Sequence, residues 1–387
     1  MIFRGEHFVK SNNRCRGIKR VTALGTAFLL AAMPVLSGCG SDADMGSLIA
    51  FVGNINSGEN QEQNTELWQG VTQFADESGR KAVSYEPESS SVTSAELAIK
   101  QAIDDGADVV VCTGDVMEHA IYEVQQIEKH TQFLLLDGVP TENAENGEER
   151  IRGNTYSVIF SREIAGFLAG YAAVKEGCRV LGFYGGSKND EIVRYGSGFI
   201  QGANQAAGEL KLRSDEVVIQ YKYMTSNAIN PAQVAGIADW FTEGCQVIAV
   251  AGRGAELVAE QGAVRGNGKI ITDDMSTTSG SVIMTEAGIN YANAAVQALT
   301  LMEDGSLKGG ETNELGLAES CMYLNMEGSS FTNFTESDYE AILAKLQNGE
   351  ITVTSEDVTK QSGSEEESSK KGKNSVEINN VTLEEKV

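Results

Sequence analysis

Short apolar runs alternate with longer amphipathic ones along most of this chain, and the alternation happens twice. The first series places strands at 47–53, 81–85, 107–112 and 132–137. Helices at 62–78, 94–105 and 116–129 fall between them. Gly79 and Gly106 stand where two of those helices should stop. The second series has an extended run at 155–160, a helix at 162–175 and a strand at 180–184. It continues with a helix at 190–207, a strand at 217–223, a helix at 231–242 opened by Pro231, and a strand at 247–251. Helices at 254–264, 290–303 and 334–347 and strands at 269–273 and 281–285 complete it, with Asn333 or Thr335 as cap of the last helix. Strands that alternate with helices specify an α/β fold with parallel sheets covered on both faces. Two such series in one chain predict two similar lobes.

The first 38 residues are of another kind. Six basic residues (Arg4, Lys10, Arg14, Arg16, Lys19, Arg20) face the single acid Glu6, and an apolar run follows from Val21 to Leu36. Sixteen apolar residues fall short of the ~20 that span a bilayer. A basic segment, a short apolar segment and small residues describe a secretory signal. Leu36-Ser37-Gly38-Cys39 resembles the bacterial lipobox. That resemblance implies cleavage before Cys39, lipidation of Cys39 and an anchor at the extracytoplasmic face of the cell membrane, since each buried CH₂ contributes ~0.8 kcal/mol. The mature chain would hold 24 basic and 54 acidic residues, a net charge of −30. Such acidity argues against nucleic-acid binding, which needs clustered Lys and Arg, and predicts repulsion from anionic headgroups.

Little catalytic chemistry is on offer. After processing only His119 and His130 remain, both on or beside a helix and read as surface or capping residues, and no Ser/His/Asp set assembles. Cys112, Cys178 and Cys245 lie in or beside strand-like runs and read as small buried hydrophobes. Gly252-Arg253-Gly254 follows a strand and opens a helix, with Asp273 further on. Leu257 replaces the third glycine of a dinucleotide fingerprint, so a tight turn facing a ligand cleft is preferred to a cofactor site. No resident cofactor or metal is expected. Asp137 and Asp273 each end an apolar run and so project from the carboxyl end of a parallel strand, where open α/β sheets bind ligands. Each either accepts hydrogen bonds from a ligand or caps the next helix.

Asn154-Thr155-Tyr156-Ser157-Val158-Ile159-Phe160, Glu163 and Gly166-Phe167-Leu168-Ala169-Gly170 resemble the BMP family of bacterial basic membrane lipoproteins. These are PnrA-like substrate-binding proteins of ABC importers. Val180-Leu181-Gly182-Phe183-Tyr184-Gly185-Gly186, Val193-Arg194-Tyr195, Gly198-Phe199-Ile200-Gln201-Gly202, Asn230-Pro231 and Gly349-Glu350-Ile351-Thr352-Val353 extend the resemblance over residues 47–353. It implies a type I periplasmic-binding-protein fold, with two Rossmann-like lobes joined by three crossings and a small ligand, a purine nucleoside, trapped by hinge closure. The partners it implies are that ligand, an ABC permease and the membrane, with the protein a monomer. The sequence departs from the family at two ligand contacts. The family's Phe-Asn becomes Gln63-Asn64, and its Thr-Ser-x-x-Lys becomes Met284-Thr285-Glu286-Ala287-Gly288 without the Lys. The remaining candidates for the cleft are Asn54, Asn56 and Asn64 after the first strand and Gly114 and Asp115 after the third. Tyr184, Gly252 and Asp273 are their equivalents in the second lobe, while Trp68, Tyr195 and Trp240 read as core.

The expected organisation is a signal (1–38), a tether (39–46), lobe 1 (47–157, completed by 280–312), lobe 2 (158–279, completed by 313–353) and a disordered polar tail (354–387). Two functions are open at this point: a solute receptor for import, or a ligand-sensing lipoprotein of the same fold that signals to a partner protein. An enzyme is not expected.

Overall fold

The computed structural model describes residues 48–56, 61–143, 147–225, 228–252, 254–273, 281–362 and 377–386. From Leu48 onward the described residues form one compact unit. The signal, the lipobox and Cys39 lie outside the described residues.

The first lobe is built on β1 (Leu48–Val52), β2 (Lys81–Tyr85), β3 (Val109–Thr113), β4 (Gln132–Leu136) and β5 (Thr155–Phe160). Between the first four strands run α1 (Gln61–Ser78), α2 (Val92–Asp104) and α3 (Asp115–Ile127). The second lobe follows with α4 (Arg162–Glu176), β6 (Val180–Ser187), α5 (Asp190–Glu209), β7 (Val218–Met224), α6 (Pro231–Thr242), β8 (Val247–Ala251), α7 (Ala255–Gly266), β9 (Ile270–Thr272) and β10 (Ile283–Ile289). Then come α8 (Tyr291–Glu303), β11 (Thr312–Leu315), β12 (Met322–Leu324), α9 (Glu336–Gln347) and β13 (Thr382–Glu385). Among the described residues these strands make two sheets, ordered β11-β5-β4-β3-β1-β2 and β12-β10-β9-β8-β6-β7-β13. Every strand pair is parallel except β10 with β12. Central strands β3 and β8 are buried at every residue, as strands with helices on both faces must be.

The chain passes between the sheets after Phe160, after Ile289 and after Leu315. These positions correct the expected boundaries. β10, assigned to lobe 1 on sequence, pairs with β9 in the second sheet, while α8 packs on α1. β11, assigned to lobe 2, pairs with β5 in the first sheet. An amphipathic run reports that it is a strand but not which neighbour it will find.

Caps follow the local chemistry. Gly79 and Gly106 take φ of +73° and +97° at the ends of α1 and α2. Asn230 accepts from the amides of Ala232 and Gln233, both at 3.0 Å, and Pro231 opens α6. Of the two candidate caps for α9, Thr335 serves, in a reciprocal pair with Asp338. The four described cysteines are free and buried.

The helix pair α4–α5 supports the second sheet with backbones in contact. A methyl group at Gly198 would lie 2.0 Å from the carbonyl oxygen of Glu163, and one at Gly166 would lie 2.0 Å from that of Tyr195. Glycine is required at these places because the opposing backbone occupies the space of a side chain. At the far end of the pair Glu209 takes Lys175 and Lys345, each at 2.7 Å, and the Tyr171 hydroxyl at 2.7 Å. Burial alone would raise this carboxyl. Hydrogen bonds from Lys175, Lys345, Tyr171 and Gln205 outweigh it and hold the carboxyl at about 2, below the ordinary 4.5. A depressed carboxylate contributes stability that is complete above pH ~4.5 and is lost as the pH falls towards ~2. Solvent screening limits this to about 1 kcal/mol. Glu209→Gln should therefore be less stable than the parent at pH 7 by that amount, with the gap closing in urea melts below pH 3.

The tail is the other correction. Val358 is fully buried and Val381 is 6% exposed. β13 adds to the edge of the second sheet in parallel with β7, Thr382 opposite Val218 and Glu385 opposite Tyr221. The Asn204 side-chain oxygen Oδ1 accepts from the backbone amides of Asn379 and Asn380, at 3.0 and 2.8 Å. A tail rich in Ser, Glu and Lys was expected to be disordered. Two valines and an unpaired sheet edge are enough to seat both ends of it, while residues 363–376 lie outside the described set.

Candidate functional site

The carboxyl ends of both sheets meet at one gap. Glu62, Gln63 and Glu66 of α1 line it from one side, Asp273, Glu286 and Ile289 from the other, and Tyr291 at the second crossing. The gap encloses about 10 Å³, roughly the space of one water molecule. A ligand of nucleoside size enters only if the lobes separate.

Asp273 stands where the strand pattern placed it, at the end of β9, and its Oδ2 accepts from the Gly252 amide at 3.3 Å. Gly252 has φ +94°, and a methyl group there would meet the Ile192 side chain at 2.4 Å. These two predicted residues are brought together. Gly114 (φ +93°) and exposed Asp115 open α3 at the end of β3. Asn64 is buried and donates to the Asn54 carbonyl at 3.1 Å. It fixes the loop after β1, and Asn54 follows that strand directly. Asn56 is exposed and bonds Glu86, towards the β2 side of the sheet.

Tyr184 is a core residue instead. Its ring meets Trp240 edge-on at 6.4 Å, and burial pushes its hydroxyl up to about 12. Side chains alternate along a strand, and Tyr184 falls on the α6–α7 face of β6. Trp240 and Tyr195 are buried, and Trp68 is partly buried against the core, so all three are core as expected.

Asp137 has a role that sequence reasoning missed. It adopts φ +59° just beyond β4, accepts from Arg162 Nη2 at 2.5 Å and from the Tyr291 hydroxyl at 3.2 Å. The pair is largely shielded from solvent, with the Asp137 and Arg162 side chains 9% and 16% exposed. Arg162 also reaches Glu191 at 3.8 Å. Burial alone would lower the guanidinium, but Asp137 foremost, with Tyr291, Glu191 and Asp273, raises it well above its ordinary value. A cation at the first residue of α4 opposes the helix dipole, so Asp137 and Glu191 are what hold it there. A second arginine repeats the device: Arg194 Nε donates to Glu163 at 2.7 Å within lobe 2, and its Nη2 pairs with Glu314 of β11 in lobe 1. Both arginines thus tie the lobes at the crossings. The only trace of this in the sequence is an arginine directly after a strand-to-helix crossing.

Nearby, burial pushes the Glu118 carboxyl up to about 7. The Val139 amide opposes the shift, and Asp115, Glu191 and Asp137 add to it. His119 Nδ1 donates to the Thr141 carbonyl at 2.8 Å and braces the loop after β4. The Tyr195 hydroxyl is buried without a hydrogen-bond partner among the described residues. Its neighbours in charge are Asp273, Glu286 and Arg162.

Comparison with known proteins fits this geometry. The sequence profile of the family described as "ABC transporter substrate-binding protein PnrA-like" matches residues 59–357. The chain is 25% identical over 228 residues to the ABC transporter nucleoside-binding protein BmpA of Lactococcus lactis, a match covering 56% of this chain and 61% of that protein. It is 22% identical over 371 residues to a CD4+ T-cell-stimulating antigen of Listeria monocytogenes, covering 87% and 98%. Among solved structures, a solute-binding protein of an ABC transporter system from Conexibacter woesei superposes with a TM-score of 0.60 at 17% identity, covering 80% of this chain and 99% of that one. One from Aeropyrum pernix gives 0.52 at 16%, covering 79% and 87%. The fold is that of the type I periplasmic-binding proteins. No described helix is long and apolar enough to cross a membrane. With a cleft between twin parallel sheets and a family profile spanning most of its length, the chain belongs to the PnrA-like substrate-binding proteins of ABC transporters.

Proposed function

We propose that this protein is a lipid-anchored extracytoplasmic receptor that captures a purine nucleoside and delivers it to an ABC permease by hinge closure. The observation that carries the reading is the gap between the carboxyl ends of the two sheets, lined from both lobes and bounded by the chain crossings. A ligand that touches both lobes favours the closed arrangement by its contacts with each. The nucleoside follows from the family resemblance and from the printed name of the Lactococcus relative. Asp273 and Glu286 offer carboxylates to ribose hydroxyls, as the family's lost lysine cannot. The lipid anchor follows from the Leu36–Cys39 motif.

A purine nucleoside at 100 times its Kd should stabilise the protein by ~2.7 kcal/mol, a rise of several degrees in Tm. Asp273→Ala should weaken that binding about tenfold or more, the worth of a charged hydrogen bond, while the unliganded Tm stays close to the parent's. A panel of purine and pyrimidine nucleosides that leaves Tm unmoved removes the nucleoside. An Asp273→Ala protein that unfolds shows the carboxylate to be a structural brace of the Gly252 turn.

A further inference from the structure

A second cavity, of about 410 Å³, lies in the first lobe away from the gap, lined by Gln125, Gln126, Lys129, Arg152 and Asn154. Two cations and three amides face it and no carboxylate does, in a chain with a net charge of −25. The site is built from below. Gln125 is 1% exposed, donates to the Arg150 carbonyl at 2.7 Å and accepts from the Arg152 amide at 2.8 Å, so it pins the segment that carries both arginines. Asn154 is pinned likewise, donating to the carbonyls of Glu128 and Thr131. Arg150 and Arg152 then converge on one neutral acceptor, the Gln126 side-chain oxygen, each at 3.3 Å. Arg150 has Glu148 at 2.9 Å. Arg152 and Lys129 have no acidic partner among the described residues. Like charges gathered around an amide repel one another unless an anion joins them.

The position of the cavity indicates which anion. The Asp108 amide donates to the Leu48 carbonyl, the Gln132 amide to that of Asp108, and the Phe133 amide to that of Asn154. Leu48 and Asn154 therefore share the amino-terminal rim of the first sheet, three strand spacings or about 15 Å apart. Cys39 is nine residues before Leu48, a reach of at most about 30 Å. Ile127, the last residue of α3, is 74% exposed two positions before Lys129. An apolar side chain beside lysine and arginine suits a bilayer surface.

Although the chain as a whole is acidic and repels anionic headgroups, this rim is locally cationic, and we infer that the cavity takes the phosphate of an anionic phospholipid headgroup and seats the amino-terminal rim of lobe 1 on the membrane. The gap lies at the opposite end of those strands. The inference rests on the anchored reading for its orientation, and its test separates the two. The chain from residue 40, which keeps the whole compact unit, is tethered through an amino-terminal hexahistidine to nickel-chelating vesicles of phosphatidylcholine with or without phosphatidylglycerol. Hydrogen exchange is then read at residues 125–130 and 150–154. The expected result is protection only with phosphatidylglycerol, lost in Lys129→Ala/Arg152→Ala while exchange in β3 and β4 is unchanged. Equal protection by glycerol 1-phosphate in solution, with none added by the bilayer, would assign the cavity to a soluble phosphate and overturn the membrane contact. No protection in any arm would overturn the site altogether. Whether Cys39 is acylated is a separate measurement, by mass spectrometry of the cell-derived protein, and its failure would remove the anchor while leaving the cavity result to stand.

Discussion

Gly198→Ala should cost this protein about 3 kcal/mol or more, and its Tm several degrees, although it adds one methyl group. That methyl would sit 2.0 Å from the Glu163 carbonyl oxygen and 2.7 Å from its carbon. Backbone cannot swing aside as a long side chain can, so α4 and α5 must part. Parting them loosens Phe167 and Phe199, both buried between the layers, and draws Glu163 away from Arg194. The same contact recurs one turn on, where a methyl at Gly202 would lie 1.9 Å from the Phe167 oxygen and one at Gly170 would lie 2.0 Å from that of Phe199. Gly236, in α6, has nothing within 4 Å of the added atom. Gly236→Ala should be neutral or stabilise by up to about 1 kcal/mol, since glycine in a helix interior is the poorer choice. Denaturant melts of the two variants decide the matter. Equal stabilities would mean that the α4–α5 contact is looser than described.

Arg162→Met should be nearly as damaging, at about 3–5 kcal/mol, because it leaves the Asp137 carboxylate buried without its cation. Tyr291 would remain as a donor at 3.2 Å, but a neutral hydroxyl does not replace a guanidinium. The charge pair itself contributes less than this figure, since both ions were desolvated to make it. Arg162→Met combined with Asp137→Leu should therefore recover much of the loss. A double-mutant cycle on unfolding free energy reads the difference. Because the pair joins the end of β4 to the start of α4, the single variant should also widen the range of lobe separation seen by solution X-ray scattering. A cycle that sums without interaction would show the two groups to be independently solvated.

The fold was legible where pattern is local. Continuous apolar runs such as 109–112 and 247–251 became fully buried strands, Gly79 and Gly106 stand at the helix stops expected of them, and Pro231 opens α6. Partner choice was not legible. β10 was found as a segment but given to the wrong lobe, and β11 was not foreseen as a strand, its residues being counted with lobe 2, because pairing is decided by residues far away in the chain. The site was legible in position only. Asp137 and Asp273 do stand at strand ends, but the Asp137 carboxylate is committed to Arg162, a partner 25 residues on that no strand pattern announces. Tyr184 failed by parity: one step along β6 turns a side chain from one face of the sheet to the other. The tail failed because average composition hides Val358 and Val381 among polar neighbours.

The three crossings bear on how this chain comes into being. Its first sheet lacks an edge strand until Thr312–Leu315 has been made, and its second until Thr382–Glu385 has. No nascent fragment shorter than these owns a finished layer, so neither half can mature while the ribosome is still at work on the other.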